Sequence, residues 1–177
     1  MLVLVVAVLL VAASLTLLKL YRIPSASMEP TFRCARPAPG CTAKRSDRVA
    51  ALRVDWPFDD VRRGDIVAFR TPPLAETRCG VGGTFVARVV ALAGETWAQR
   101  RGAVFVDGRA LDEPYVDDER RDMRTYPARR VPPGHVFVEG DNRAQSCDSR
   151  VWGALPERNV VAKALLTYWP PSRISLR

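Results

Sequence analysis

The hydrophobic residues of this chain form one long apolar run at the start and a series of short runs after it. Residues 1–18 contain no charged side chain, and their only polar groups are Ser14 and Thr16. As a helix that rises roughly 1.5 Å per residue, this run would span about 27 Å, close to the hydrocarbon thickness of a bilayer. The pattern therefore predicts a transmembrane anchor over residues 1–20.

A cleavable secretory signal is the alternative interpretation of the same run. The small residues Ser25, Ala26 and Ser27 would then provide the cleavage site. However, no lysine or arginine precedes the run, and its 18 residues exceed the roughly 7 to 15 of a signal core. We therefore favour the anchor.

Short runs rich in β-branched and apolar residues recur after the anchor, and turn residues separate them. The Asp107-Gly108 pair between VFV and RAL indicates a hairpin, because glycine tolerates the positive φ of a tight primed turn. No later segment has the period of a long amphipathic helix. The pattern predicts a mainly β domain over residues 21–177. Its predicted strands span 48–54, 65–69, 84–92, 103–106, 136–139 and 160–168. The charged run 117–124 indicates a solvated loop.

The charge of the chain raises the question of an acidic partner. Its 177 residues include 27 basic and 19 acidic side chains, a net charge of +8. The arginines are scattered among the predicted strands and turns without an aromatic platform, so we expect no nucleic-acid partner. Attraction to an anionic phospholipid membrane is the simpler role. The histidine and the lysines are few: His135, Lys19, Lys44 and Lys163.

The four cysteines indicate an oxidising compartment. The sequence-local pairing joins Cys34 to Cys41, within an insertion at 33–46, and leaves Cys79 to meet Cys147. We expect no metal site, since a zinc site would require C-x₂₋₄-C spacing and usually histidines. Disulfides place the domain outside the cytoplasm. They outweigh the basic residues after the apolar run, which by the positive-inside rule would keep the domain inside.

Four segments, taken together, resemble a known family. They are RIPSASMEPTF at 22–32, RGDIVAF at 63–69, FVARVVALAGE at 85–95 and GDNRAQSCDSRVWG at 140–153. Pro24 and Pro30 stiffen the backbone on either side of Ser27. In this order the segments resemble those of bacterial type I signal peptidases, the membrane-anchored serine proteases that remove signal peptides from preproteins. The resemblance extends from the anchor to residues 168–170.

The resemblance implies an all-β catalytic domain on the extracytoplasmic side of the cell membrane, with no cofactor. It implies that Ser27 is the nucleophile and that the Ser25 hydroxyl and the Ser27 backbone N–H stabilise the oxyanion. The signal peptide would add a strand between residues 22–25 and 84–87, and cleavage would follow a small-x-small site. The implied supporting residues are Arg88, Asp141, Ser146, Asp148 and Arg150.

One position departs from the family pattern. The family's general base is a lysine directly before the arginine that matches Arg88, and this chain has Ala87 there. A methyl group takes no proton and a guanidinium stays charged, and loss of a general base costs roughly 10²- to 10⁴-fold in rate. Lys44 and His135 are candidate substitutes. We expect a structural role for Lys163, and a position at the membrane interface for Lys19.

Three hypotheses follow from these observations. The first, which we favour as the biological role, is a signal peptidase that is active through an unrecognised base or in which Ala87 is an engineered or accidental change from lysine. The second is a catalytically inactive homologue that binds signal peptides or partners at the membrane. The third is an unrelated secreted β domain from which the first 27 residues are removed.

Overall fold

The computed structural model describes residues 17–54, 60–80 and 82–177. Its strands are β1 (Leu18–Arg22), β2 (Arg48–Arg53), β3 (Ile66–Arg70), β4 (Thr84–Ala91), β5 (Thr96–Arg100), β6 (Ala103–Val106), β7 (Arg109–Ala110), β8 (Tyr126–Arg130), β9 (His135–Glu139), β10 (Leu155–Pro156), β11 (Val160–Trp169) and β12 (Ser175–Leu176). The helices are α1 (Pro73–Cys79) and α2 (Ser149–Trp152), with short 3₁₀ turns between strands. The described part of the chain is therefore mainly β.

Two antiparallel sheets organise the strands. The larger sheet has the order β1-β2-β11-β3-β4-β9-β10, and β12 pairs with β11 at its side. The smaller sheet has the order β7-β6-β5-β8. Strand β4 pairs with β3 along residues 84–88, whereas β9 joins it only from Arg88 onward. The first half of β4 is thus left without a strand partner on its β9 side.

The core of the larger sheet comes from alternating positions of neighbouring strands. Val67 and Phe69 of β3 share a face because residues two apart on a strand point the same way, and both are buried. Ala87 and Val89 of β4 belong to the same cluster, and Trp152 of α2 covers it. A separate core joins the two sheets, where Trp97 of β5 stacks on Phe137 of β9 with ring centroids 4.3 Å apart.

The six strands predicted from the apolar runs are confirmed as β2, β3, β4, β6, β9 and β11, with ends that differ by at most a residue or two. The predicted hairpin is confirmed as well. Asp107 and Gly108 have φ values of 50° and 77° and connect β6 to β7. Two positive φ values are what a primed two-residue turn requires.

The predicted anchor lies almost entirely outside the described residues, at 1–16. Its last residues belong to the sheet, because β1 begins at Leu18 and its Leu20 pairs with Ala50. The β domain therefore starts before the boundary expected at residue 21. Among the described residues, no helix is both long and apolar enough to cross a membrane.

Both predicted disulfides are present. Cys34 and Cys41 are joined with their Cα atoms 5.0 Å apart, and Cys79 and Cys147 are joined with theirs 6.0 Å apart. The first closes the insertion at 33–46 upon itself. The second connects the end of α1 to the segment at 140–153.

Candidate active site

Ser27 lies in a 3₁₀ turn, Ala26–Met28, between β1 and β2. Extended residues flank this turn, with Ser25 before it and Glu29 after it. Ala26 and Met28 are buried beneath the turn, so the side chain between them points away from the core. The Oγ atoms of Ser25 and Ser27 are 3.2 Å apart, within hydrogen-bond distance.

The turn that follows β9 donates hydrogen bonds to the serine turn. The backbone N–H of Asn142 donates to the carbonyl oxygen of Ser27 at 3.0 Å, and its Nδ2 donates to that of Ala26 at 3.0 Å. Gly140 is required for this approach. A Cβ there would lie 2.3 Å from Ser146 Oγ and 2.4 Å from the carbonyl oxygen of Ser27, too close for any side chain.

Arg88 braces the same turn from β4. Its Nε and Nη2 donate to the two oxygens of buried Asp141 at 2.9 and 2.7 Å, and its Nη1 donates to the carbonyl of Gly64 at 3.0 Å. The Thr31 hydroxyl also donates to Asp141, which connects this ion pair to the serine segment. The guanidinium lies 3.9 Å from the ring centre of Tyr115. Because neighbours on a strand face opposite ways, Arg88 supports the site from the side away from Ala87.

Asp148 and Arg150 form a second buried brace. Arg150 Nε and Nη2 donate to the two Asp148 oxygens at 2.8 and 2.7 Å, and the backbone N–H of Gly140 donates to Asp148 at 3.1 Å. Arg150 Nη2 also donates to the Arg143 carbonyl at 2.8 Å. The pair thus fixes both ends of the segment that carries Ser146.

The charged run 117–124, predicted as a solvated loop, is partly buried. Asp122 is only 7% exposed, and Arg150 Nη1 donates to it at 2.9 Å. Burial would raise the pKa of Asp122, but hydrogen bonds from Arg124 and Tyr126 and the charge of Arg150 lower it below its ordinary value. A carboxylate in an alternating run carries no sequence signal that distinguishes it from its exposed neighbours.

A further ionic cluster behind the site was not predicted. Buried Arg143 lies 2.5 Å from Glu113 and 2.8 Å from Glu139, and it donates to the Gly140 carbonyl at 2.9 Å. Burial raises the pKa of Glu139 to about 7, against the lowering effect of Arg143. Glu113 is some 30 residues from Arg143 in sequence, so no local pattern could have paired them.

Ser27 opens onto a cavity of about 630 Å³. Its walls are the segment at 21–28, the unpartnered half of β4 at 84–87, and the segment at 145–148. Ser25, Ser27, Ala87, Ser146 and Asp148 therefore line one cavity. Arg88, Asp141 and Arg150 lie behind its walls. The lining is more apolar than polar, with Ile23, Phe69, Phe85 and Val86 among the contributors.

The two candidate substitute bases, Lys44 and His135, and the other two lysines lie elsewhere. Lys163 Nζ is 2.9 Å from Asp65, and His135 Nδ1 is 2.9 Å from the carbonyl of Pro133. Lys44 is exposed, and Lys19 is part of β1. None of the four lines the cavity.

The ionisable groups that do line the cavity, among the described residues, are Tyr21, Arg22 and Asp148. Burial raises the pKa of Tyr21, which keeps its hydroxyl neutral. The guanidinium of Arg22 offers only hydrogen-bond donors. Asp148 is engaged by Arg150 through both oxygens. The described lining thus contains no free proton acceptor of the lysine or histidine type.

The chain is similar in sequence to known signal peptidases. The family profile described as "Signal peptidase, peptidase S26" matches residues 1–169. A Synechocystis protein named "Probable signal peptidase I-1" is 39% identical over 85% of this chain and 71% of its own length. "Signal peptidase I" of Leptolyngbya laminosa is 33% identical over 86% of this chain and 69% of its own. A crystal structure of a signal peptidase I from Enterococcus faecalis, 28% identical, aligns with a TM-score of 0.47 over 59% of this chain and 96% of that chain.

Proposed function

We propose, on the premise that this chain belongs to the signal peptidase family of peptidase S26, that it cleaves preproteins at a membrane with Ser27 as nucleophile. The enzyme class follows from the family: the chain is a signal peptidase I-type serine endopeptidase, and the family removes signal peptides. The hypothesis of an unrelated secreted β domain is therefore wrong. The observation that carries the proposal is the Ser25–Ser27 pair, 3.2 Å apart at the mouth of a peptide-sized cavity.

The signal peptide binds in this cavity as an extra strand. Residues 84–87 pair with β3 on one side only, so their other edge offers unpaired backbone donors and acceptors beside Ser27. An extended peptide satisfies such an edge with main-chain hydrogen bonds and places alternate side chains in pockets. Pro24 and Ser25 form the facing wall. The apolar lining suits small uncharged side chains, which supports cleavage after a small-x-small site.

The chemistry at Ser27 is acyl transfer. Ser27 Oγ attacks the scissile carbonyl, and the Ser25 hydroxyl with the Ser27 backbone N–H stabilises the oxyanion. Asn142 donates hydrogen bonds to the carbonyls of the serine turn, and Gly140 leaves the space that their close approach needs. Ser146 and Asp148, together with Arg150, support the wall opposite. The step that these residues do not supply is removal of the Ser27 proton, because Ala87 stands at the position of the family's general base.

A second function has one observation in its favour. The described groups lining the cavity lack a free base, which is what a catalytically inactive homologue would show. Such a protein would bind signal peptides in the same cavity without turning them over.

The location of the domain is part of the proposal. Residues 1–17 anchor the chain in the cell membrane, and the β domain lies on the extracytoplasmic side, where both disulfides are stable. The net charge of +8 draws the domain toward anionic phospholipid. The preprotein is processed at that surface.

A cleavage assay on three full-length chains tests the proposal. The native chain, Ala87→Lys and the double variant Ala87→Lys/Ser27→Ala are each incubated with a preprotein that has alanine at positions −1 and −3. We expect Ala87→Lys to cleave after this site at least about 10²-fold faster than the native chain, since a general base is restored. The double variant should not cleave.

Two results would contradict the proposal. Cleavage by the double variant would exclude Ser27 as nucleophile. A folded Ala87→Lys chain that binds the preprotein but never cleaves it would favour the inactive homologue.

A further inference from the structure

The described residues of the cavity provide a nucleophile and an oxyanion donor but no partner that removes the serine proton. The only described hydrogen bond of Ser27 Oγ is to Ser25 Oγ. The one carboxylate among the described lining residues, Asp148, accepts hydrogen bonds from Arg150 at both of its oxygens. Among the residues that the structure describes, none can take this proton, so a base from outside the described lining has to supply the step.

A second hydroxyl faces the same space. Gly140 lets Ser146 Oγ approach the backbone of Ser27, since both crowd the point where a Gly140 Cβ would be. Ser146 Oγ forms no hydrogen bond with any described residue, although the residue is half-buried and lines the cavity. A ligand that reaches both serines could therefore accept the proton of the Ser27 hydroxyl and donate a hydrogen bond to Ser146 Oγ.

The third wall of this space is apolar. Ala87 is 3% exposed and packs with Val67, Phe69 and Val89. Its own methyl group occupies little space, and the side chains around it are hydrocarbon. An ion without a counter-charge is costly there, whereas a neutral molecule with a short alkyl group is accommodated.

From these three features we infer that the cavity binds a small primary alkylamine beside Ala87, which acts as an external general base for Ser27. The inference rests on the proposed function of Ser27. The alkyl group contacts Ala87 and Phe69. The nitrogen accepts the Ser27 hydroxyl proton with its lone pair and donates one N–H to Ser146 Oγ.

A primary amine fits these demands better than other small bases. Burial in an apolar cavity disfavours the ammonium form and lowers the pKa of the amine, which makes the neutral form available. A guanidine would remain protonated. A tertiary amine has no N–H for Ser146 once it is neutral, and its three substituents need more room.

The proton balance of the step is complete. The neutral amine takes the Ser27 Oγ proton and becomes an alkylammonium while Oγ forms a bond to the scissile carbonyl carbon. The alkylammonium returns that proton to the nitrogen of the leaving peptide as the carbon–nitrogen bond breaks. The neutral amine then takes a proton from water, whose oxygen attacks the acyl-enzyme, and returns it to Ser27 Oγ as the ester bond breaks.

The test is chemical rescue of the native full-length chain with methylamine, ethylamine and propylamine. Preprotein cleavage is measured against amine concentration at two pH values, with tetramethylammonium as an ionic control that lacks a lone pair. We expect the rate to rise about 10-fold or more and to saturate, consistent with partial recovery of general-base catalysis. The rates measured at the two pH values should fall on one curve when they are plotted against the concentration of the neutral form of the amine. Ser27→Ala should show no rise.

Ala87→Lys separates the failure of this inference from failure of the proposed function. If Ala87→Lys cleaves and no amine raises the rate of the native chain, the amine site is refuted while the function stands. If neither cleaves, both fail. An equal rise with tetramethylammonium, or a rise that survives Ser27→Ala, also refutes the amine as a base at this site.

Discussion

Asn142 shows how much of the candidate site depends on single buried polar groups. Its backbone and side chain together hold the carbonyls of Ala26 and Ser27, and its side chain is almost fully buried. A buried carbonyl that loses its donor retains its desolvation penalty. The orientation of Ser27 Oγ therefore depends on a residue that touches neither substrate nor proton.

We predict that Asn142→Ala lowers both the free energy of unfolding, by about 1–3 kcal/mol, and the kcat of the Ala87→Lys enzyme. The backbone donor to Ser27 remains, so binding of the preprotein should change less than kcat. Chemical denaturation and steady-state kinetics measure the two effects.

Asn159→Ala is the matched control for that variant. Its Nδ2 also donates to a backbone carbonyl, that of Arg70 at 3.0 Å, but at the surface and away from the cavity. It should leave kcat unchanged. Equal kcat for both variants would show that Asn142 has no positioning role.

At the scale of elements, the cavity is assembled from segments that are far apart in sequence. The disulfide between Cys79 and Cys147 joins α1 to the 145–148 wall across 68 residues. The side chain of Arg78 adds a hydrogen bond to the Val151 carbonyl. The Cys34–Cys41 disulfide, by contrast, closes a separation of only 7 residues within one insertion.

We predict that replacing both cysteines of the long bridge by serine costs more stability than the same change in the short bridge. Loop-closure entropy gives about 4 kcal/mol for Cys79–Cys147 and about 2 kcal/mol for Cys34–Cys41. Denaturant unfolding of the two double variants under non-reducing conditions provides the comparison. The reverse order would show that chain entropy does not dominate the contribution of these bridges.

Apolar alternation was enough to predict some strands and not others. Strands β3, β4 and β9 bury valines and phenylalanines, so their runs are visible in the sequence. Strand β5 was missed because it buries Gln99, whose Nε2 donates to the carbonyls of Asp122 and Arg124. A buried polar residue is stable only with partners, and these lie 23 and 25 residues away. The local sequence pattern around Gln99 contains no sign of hydrogen bonds to residues so far away.

The residues of the candidate site were likewise predictable only in part. The ordered motifs placed Ser25, Ser27 and Ser146 around one cavity, because motif residues are recognisable one segment at a time. The partners that hold those motifs were not predicted. Asp122, Glu113 and Arg143 act through contacts across the fold, and their own segments resemble ordinary surface charge.

The net charge of the whole molecule is +8, but this value gives no indication of the several buried ion pairs that lie behind the cavity. Glu139 is the member of this cluster with the least compensation. It is fully buried, and its carboxylate oxygens form no well-directed hydrogen bond although Arg143 lies 2.8 Å away. Burial therefore raises its pKa from 4.5 to about 7.

The sign of the resulting pH dependence follows from proton uptake. The folded chain holds a proton on Glu139 at pH values where the unfolded chain has released it. The stability that this group contributes is present at low pH and is lost as the pH rises from 4.5 through about 7.

We predict that the free energy of unfolding of the native chain falls relative to that of Glu139→Gln between about pH 5 and pH 8. The relative change should be up to about 3 kcal/mol, since one pKa unit corresponds to about 1.4 kcal/mol. Denaturant titrations across this range measure the difference, with exposed Glu157→Gln as the control for loss of a carboxylate. A difference that stays constant with pH would contradict the raised pKa.

We propose that Ser27 is the nucleophile of a cavity whose described residues lack only the general base. The most direct measurement is mass spectrometry of the Ala87→Lys chain, acid-quenched during turnover of a signal-peptide substrate and digested. We predict an acyl adduct on the peptide that contains Ser27, and none in Ala87→Lys/Ser27→Ala. An adduct on any other residue, or cleavage that persists without Ser27, would contradict it.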